Sequence, residues 1–439
     1  MKVSYPIFEW GSRNYGVGEE RIPARSAAKL AAVAAASIFA NKTGKGVLDH
    51  GRDKLGARDI VGIISADDCV LEILPKIENL LEENKQRQNG AIRSQLVHML
   101  SVTYNLNIDV GAVTELTWQS ESLLEILIRI FSEKLTDAVR LGMPRRYKEC
   151  EDDLPALRGG LNISRQFTRH AVNPSRLSCR YDVLSEDITI NHVMKAAVTQ
   201  LLRVSGNWDN QRRLRELSFV YADIADITPA ALKWDDVLID RTNKRWSEML
   251  SIAKLLLQNR FQTTESGETR GMALLFEMNS LFEEYIGRLV RQALAGSPFT
   301  VSLQGGGIFC LTTPDERRIF RTKPDILIRL GSTITHVIDT KWKKISANLD
   351  DPKQGVSQAD VYQMMAYGQL YKSPRLTLLY PYHTGLGKKE DIHSRNRITG
   401  FDGVLEIASV DIANRKRIVD RLRAILAGTP QDSPSYGPL

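Results

Sequence analysis

Lys323-Pro324-Asp325-Ile326-Leu327-Ile328-Arg329-Leu330-Gly331-Ser332-Thr333-Ile334-Thr335-His336-Val337-Ile338-Asp339-Thr340-Lys341-Trp342-Lys343 is the stretch on which the reading of this chain turns. Two apolar runs joined by a glycine turn make a β-hairpin. Side chains alternate along a strand, so Asp339 and Lys341 share one face about 7 Å apart, while Thr340 and Trp342 point the other way. The turn decides whether Asp325 joins them. A two-residue loop, Gly331-Ser332, pairs Asp325 with Ile338 and leaves the aspartates on opposite faces. A three-residue loop, Gly331–Thr333, pairs Asp325 with Asp339, and this is the loop we expect. Directly opposed residues hold their Cβ atoms about 4.5–5.5 Å apart, close enough for two carboxylates to grip one hard divalent cation.

Magnesium prefers oxygen ligands, keeps several waters and neutralises charge that builds on a phosphodiester as water attacks, with manganese an expected substitute. Beside it, the Lys341 ammonium can orient the water and stabilise the anionic transition state, or with a lowered pKa take part in proton transfer. A Pro-Asp followed by Asp-x-Lys arises often by chance, and most such aspartates are solvated turn residues. Context separates this case: Asp339 closes a strongly apolar segment, where an uncompensated charge is costly and demands a partner or a metal.

Two flanking patterns bear on the same chemistry. Gln363 and Tyr367 lie four apart on one face of a helix that starts near Ser357–Asp360, so an amide and a phenol can reach phosphate or the lysine. The plain alternative is an amphipathic helix with a partly exposed Gln and a half-buried Tyr. Upstream, Leu274, Met278, Leu281, Phe282, Tyr285 and Leu289 line one helix face and leave Glu277, Glu283 and Glu284 on its flanks. One of these can touch the metal or its water, and periodicity alone does not choose between Glu283 and Glu284.

Outward from this core, the chain reads as an α/β multidomain protein. Residues 1–115 form a small α+β domain: a strand around Tyr5–Trp10, an alanine-rich helix, and a hairpin of Ile60–Ser65 and Cys69–Leu74 about the Asp67-Asp68 turn. Residues 116–265 are mainly helical, with helices over Glu121–Arg145, His192–Arg203 and Asn243–Arg260. The polar, glycine-containing run Gln262–Arg270 is the expected interdomain linker. Residues 266–439 form an α/β domain: a helix (Gly271–Ala293), strands near Phe299–Cys310, Ile319–Leu330 and Ile334–Trp342, a helix (Ser357–Tyr371), a strand (Leu376–Tyr380), a basic helix (Ile412–Ala427) and a loose tail.

Taken together, Pro324-Asp325, Asp339-Thr340-Lys341, Leu71-Glu72-Ile73-Leu74-Pro75-Lys76-Ile77, Asp182–Asn191 and Met278-Asn279-Ser280-Leu281-Phe282-Glu283 resemble the McrC family of PD-(D/E)xK nucleases. The resemblance covers most of the chain. It implies a restriction-endonuclease-like C-terminal domain and a metal-dependent endodeoxyribonuclease acting in a restriction system against foreign DNA such as phage. It also implies catalytic roles for Asp325, Asp339, Lys341, Glu283, Gln363 and Tyr367, the last two matching a QxxxY element. Metal ligation by Asp325, Asp339, the Thr340 backbone carbonyl and Glu283 follows from the same likeness. So does an AAA+ GTPase or ATPase partner of McrB type, on which residues before about 115 dock and which they stimulate. The substrate that the likeness implies is double-stranded DNA, with methylated DNA among the expected targets.

Composition agrees with such a role. The 439 residues exceed one ordinary core, and Lys plus Arg number 59 against 52 Asp plus Glu, an excess that favours a polyanionic partner. A P-loop, GxxxxGK[ST], is needed for an NTP motor, and the nearest string, Thr43-Gly44-Lys45-Gly46, lacks the earlier glycine and the hydroxyl, so NTP hydrolysis falls to another chain. Cys69, Cys150, Cys179 and Cys310 form no CxxC pair, and the seven histidines show no ligand spacing, which argues against zinc and disulfides. With no secretory signal and no membrane span in the sequence, a cytoplasmic protein is expected. Two other readings stand beside this one: a stand-alone repair or processing nuclease using the same site, and a non-catalytic factor bridging DNA and a motor, with Lys388, Lys389, Arg395 and Arg397 serving only phosphates.

Overall fold

The computed structural model describes residues 3–427 apart from 19, 38, 40–45, 67–68, 81–83, 107, 109–110, 112, 172–174, 258–260, 267–268, 346–354 and 387–389. The expected Asp67-Asp68 turn, most of the Thr43–Gly46 string, Lys388, Lys389 and the tail lie outside the described residues.

Ile60–Ala66 and Cys69–Leu74 form the expected antiparallel pair, and every residue of both is buried. Covered faces on both sides explain why these runs are continuously apolar rather than alternating. Val3–Phe8 adds in parallel beside Cys69–Leu74. The opening strand therefore ends before Trp10, which sits in a turn at φ 59°. Helix Ala24–Ala35 covers one face through Ala27, Leu30 and Val33 against Ile64, Leu71 and Ile73. On the other face Val61, Ile63 and Val70 join a larger core with helices Lys85–Tyr104 and Leu123–Arg140.

The expected linker is instead part of this sheet. Phe261–Ser266 pairs antiparallel with Thr269–Glu277, which in turn runs along Ile60–Ala66 as a full member of a five-stranded sheet. The helix expected from Gly271 accordingly begins at Met278. Met272-Ala273-Leu274-Leu275-Phe276 favours helix by local propensity, and strand pairing at a two-sided core overrides it. The approach is close enough to require glycine: Gly62 sits at φ 130°, and a Cβ there would lie 2.1 Å from the Leu274 carbonyl oxygen.

The middle region holds helices Leu123–Arg140, Thr189–Val204, Trp208–Val220 and Ser247–Leu257. It also holds a three-stranded antiparallel sheet of Arg146–Leu154, Gly160–Leu161 and Leu177–Ser185 that the sequence reading did not anticipate. Arg-Tyr-Lys-Glu-Cys-Glu-Asp-Asp-Leu has no apolar face to betray a strand, and cross-strand ion pairs such as Arg180 with Glu149 and Glu151 decorate it instead.

The C-terminal region is built on a six-stranded mixed sheet ordered Phe299–Leu303, Ile326–Leu330, Thr333–Thr340, Arg375–Pro381, Val404–Val410, Ile392–Arg397. Helices Met278–Ala293 and Ile418–Ala427 share a core with Ile326, Ile328 and Ile338, whereas helix Gln358–Tyr371 packs with Leu327, Val337, Leu376 and Leu378 on the opposite face. Phe299–Cys310 and Ile319–Leu330 each divide, releasing an extra hairpin of Phe309–Thr312 and Arg318–Arg321. The last helix begins at Ile418 rather than Ile412. All four cysteines are free, and among the described residues no helix is long and apolar enough to cross a membrane.

Candidate active site

Ile326 pairs with Ile338, and continuing that offset by one residue sets Asp325 beside Asp339. The turn is not the three-residue loop expected. Leu330 pairs with Thr333 across Gly331-Ser332, and a bulge at Thr335 adds the residue that restores the odd offset. Both halves of the motif thus meet at the end of the hairpin remote from its turn.

Asp325 Oδ2 accepts hydrogen bonds from Thr340 N at 2.7 Å and Thr340 Oγ1 at 2.9 Å. Alternation places Asp339 with Val337 on the face covered by helix Gln358–Tyr371, and Asp339 is 1% exposed. Lys341 Nζ lies 2.6 Å from Asp339 Oδ2 and donates to Gln363 Oε1 at 3.3 Å, while Gln363 Nε2 donates to Tyr367 Oη at 2.8 Å. The four-residue helical spacing therefore delivers an amide to the lysine and a phenol to the amide. Glu283 Oε1 accepts from Gln304 Nε2 at 2.8 Å, whereas Glu284 pairs with Arg288 one turn further along its helix. Of the two candidate glutamates, Glu283 is the one electrostatically tied to the aspartates.

Three further side chains contribute to the site without a strong signal in the sequence. Asp360, noted only as a helix-start signal, lies 3.2 Å from Lys343 Nζ and 3.9 Å from Lys341 Nζ. Its spacing of three from Gln363 was the available clue. The Thr340 hydroxyl fixes Asp325, and Gln304, whose backbone N–H donates to Asp325 O at 2.8 Å, links Glu283 to the root of the hairpin.

Crowded carboxylates in a buried place resist ionisation. Burial first, then the charges of Asp339 and Glu283, push Asp325 up to about 7 against the opposing Thr340 hydrogen bonds. Burial also raises Asp339, with Lys341 working against it, and raises Glu283, with Gln304 working against it. For Lys341, burial acts to lower the pKa, but Asp339, Asp360 and Asp325 outweigh it and hold the ammonium charged. Burial likewise raises Tyr367.

Among the described residues, no three His, Cys, Asp or Glu side chains close around one point. Two adjacent carboxylates with raised pKa values, Asp339 buried and Asp325 half-buried, still suit a hard cation that takes one or two carboxylates and keeps its waters. Asp325 and Asp339 supply that donor set, with Glu283, whose charge acts on Asp325, held near them by Gln304.

A family model described as "McrBC 5-methylcytosine restriction system component" matches residues 55–381, from the N-terminal sheet through the strand beyond the site. The chain belongs to the McrBC family. A further McrBC relative, the Escherichia coli (strain K12) "Type IV methyl-directed restriction enzyme EcoKMcrBC", is 20% identical over 293 residues, spanning 64% of this chain and 82% of that protein. Two solved structures share the fold. One is a half-complex from a tetradecameric assembly of Thermococcus gammatolerans McrB AAA+ hexamers with bound McrC, matched with a TM-score of 0.71 at 20% identity over 97% of this chain and 99% of the other. The second, a Thermococcus gammatolerans McrBC complex, gives a TM-score of 0.53 at 24% identity over 67% and 88%.

Proposed function

We propose that this member of the McrBC family is the McrC-type nuclease subunit, its last domain a PD-(D/E)xK nuclease that hydrolyses phosphodiester bonds of double-stranded DNA in the cytoplasm. The observation that carries this reading is the Lys341 ammonium, 2.6 Å from buried Asp339 and tethered by Gln363, beside an Asp325 fixed by Thr340. The subunit assignment rests on the sequence: no GxxxxGK[ST] occurs in it, so a separate AAA+ NTPase of McrB type supplies the motor. The Thermococcus assembly, in which McrB hexamers bind McrC, supports the same partnership.

In this reading Asp325, Asp339, the Thr340 carbonyl and Glu283 would hold Mg2+, or Mn2+ in its place, which when bound would supply Lewis-acid neutralisation of the phosphodiester. The chain's own groups do the remainder. Lys341, kept charged by three carboxylates, orients the attacking water and stabilises the anionic transition state rather than serving as a neutral base. Gln363 and Tyr367 fix the lysine, and Glu283, raised by burial, is suited to hold or accept a proton from water at the edge of the site.

The test is cleavage of methylated and unmethylated plasmid with magnesium and nucleotide, using wild type and Asp339→Ala, with and without the AAA+ partner. Cleavage by wild type only with its motor is the expected result. Robust cleavage by the isolated chain favours the stand-alone nuclease, and equal cleavage by Asp339→Ala overturns the site in favour of the bridging factor.

A further inference from the structure

The hairpin of Phe309–Thr312 and Arg318–Arg321 is out of keeping with an ordinary surface loop. All eight strand residues are exposed, and Ile308, Phe309, Leu311, Ile319 and Phe320 present apolar side chains to water. A lone two-stranded ribbon is marginal by itself, and apolar groups gathered on one mark a surface that something covers. Phe320, 69% exposed, sits at φ 57°, a left-handed conformation that a bulky side chain adopts only under local constraint.

Charge identifies what fits. Arg317 is engaged by Asp315 at 2.5 Å, but Arg318 and Arg321 make no ion pair among the described residues, and Lys323 follows at the root. Cations interleaved with apolar and aromatic side chains on a narrow ribbon match a duplex, whose phosphates take the arginines and whose major groove, about 12 Å wide, admits two strands.

The root is rigid and continuous with the candidate site. Thr322 N and Oγ1 both donate to Ile308 O, at 2.7 Å each, and the Tyr371 hydroxyl lies 2.6 Å from Thr322 Oγ1. Gly306 packs beneath Tyr371, which belongs to the helix carrying Gln363. At the other root Gln304 holds both Glu283 and the Asp325 backbone. Anything gripped by the ribbon is thereby registered against the carboxylates.

We infer that this ribbon is a DNA-positioning arm: Arg318 and Arg321 bind phosphates flanking the bond to be cut, and Phe320 makes an apolar contact in the groove. The inference rests on the nuclease reading, and its test is made on binding so that the two can fail separately. Affinity for a duplex is measured as a function of salt, without divalent metal, for the full chain assembled with its AAA+ partner. Each lost phosphate contact lowers the slope of log affinity against log salt by about one.

For Arg318→Ala/Arg321→Ala the expected result is a slope lower by about two and an affinity at least tenfold weaker, with partner association unchanged. Phe320→Ala is expected to weaken binding with the slope intact. Unchanged affinity and slope in the double variant overturn the arm, even where wild type cleaves DNA. Lost partner association with intact DNA affinity also overturns it and assigns the ribbon to a protein contact. If no variant or wild type cleaves DNA but the slope falls as stated, the arm stands and the nuclease reading falls.

Discussion

Asp325→Asn should make the metal-free protein more stable while removing its activity. Raising the Asp325 carboxyl from 3.8 to about 7 places roughly 4 kcal/mol of penalty on its ionised form in the folded chain. Asparagine keeps an oxygen that can accept from Thr340 N and Oγ1, so the substitution removes the charge and spares the hydrogen bonds. The sign follows from proton counting. Below about pH 4 both folded and unfolded wild type are protonated and the penalty is absent. Between pH 4 and 7 the unfolded chain releases its proton while the folded chain retains it, so wild-type stability falls as pH rises through the folded pKa and levels off above it. Relaxation of Asp339 and Glu283 shares the load, so we expect a gain for Asp325→Asn of about 1–4 kcal/mol at pH 8 and little at pH 4.5. Thermal and urea unfolding in chelator at the two pH values measures it. Equal or lower stability of the variant at pH 8, or a gain that does not depend on pH, refutes the electrostatic account of the pair.

Lys341→Met should lower cleavage by about 100- to 1,000-fold, as expected for loss of one transition-state-stabilising group, with DNA affinity in the assembled complex retained; turnover within tenfold of wild type counts against its role. Arg93 donates to both oxygens of the fully buried Glu72, at 2.6 and 2.8 Å, and to the carbonyls of Trp118 and Gln119. Arg93→Met strands that carboxylate and should cost about 3–5 kcal/mol in urea unfolding, and Arg93→Met/Glu72→Leu should recover part of the loss. Trp342→Phe deletes the 2.8 Å bond from Nε1 to buried Glu9 and should cost about 1–3 kcal/mol, with a loss of cleavage larger than any loss of partner binding. Equal effects on both would make Trp342 a purely structural residue.

The parts of this molecule legible in its sequence are those where a local period and burial agree. Alternation brought Asp339 and Lys341 to one face, and the helical repeat stacked Gln363 on Tyr367. The relation of Asp325 to Asp339 depended on one inserted residue, and the chain places it as a bulge at Thr335 rather than in the turn. The offset is the same either way, so the pattern of residues carries the register without specifying where the insertion sits. Where the local signal opposes the tertiary one, the sequence misleads. Met272–Phe276 is helix-forming by composition and is a strand because Ile60–Ala66 pairs with it, and Arg146–Leu154 hides a strand behind charges on both faces.

The misread linker is also the connection that matters most for coupling. Thr269–Glu277 belongs to the N-terminal sheet and passes without a break into the helix that carries Glu283, with Met278 N donating to Asp59 O at 3.0 Å. A second tie arrives from the other direction. Glu9 Oε1 accepts from Lys76 N and from Trp342 Nε1, both at 2.8 Å, and the Trp342 ring packs on Phe282 with centroids 5.2 Å apart. Phe282 and Trp342 each adjoin a residue of the candidate site, Glu283 and Lys341. A displacement of the N-terminal sheet therefore reaches the glutamate through its helix and the lysine through Trp342, with no flexible linker to absorb it. If a motor docks on that sheet, strain at the docking face and the geometry around Lys341 are one mechanical system, because packed cores shift between discrete arrangements rather than deforming smoothly.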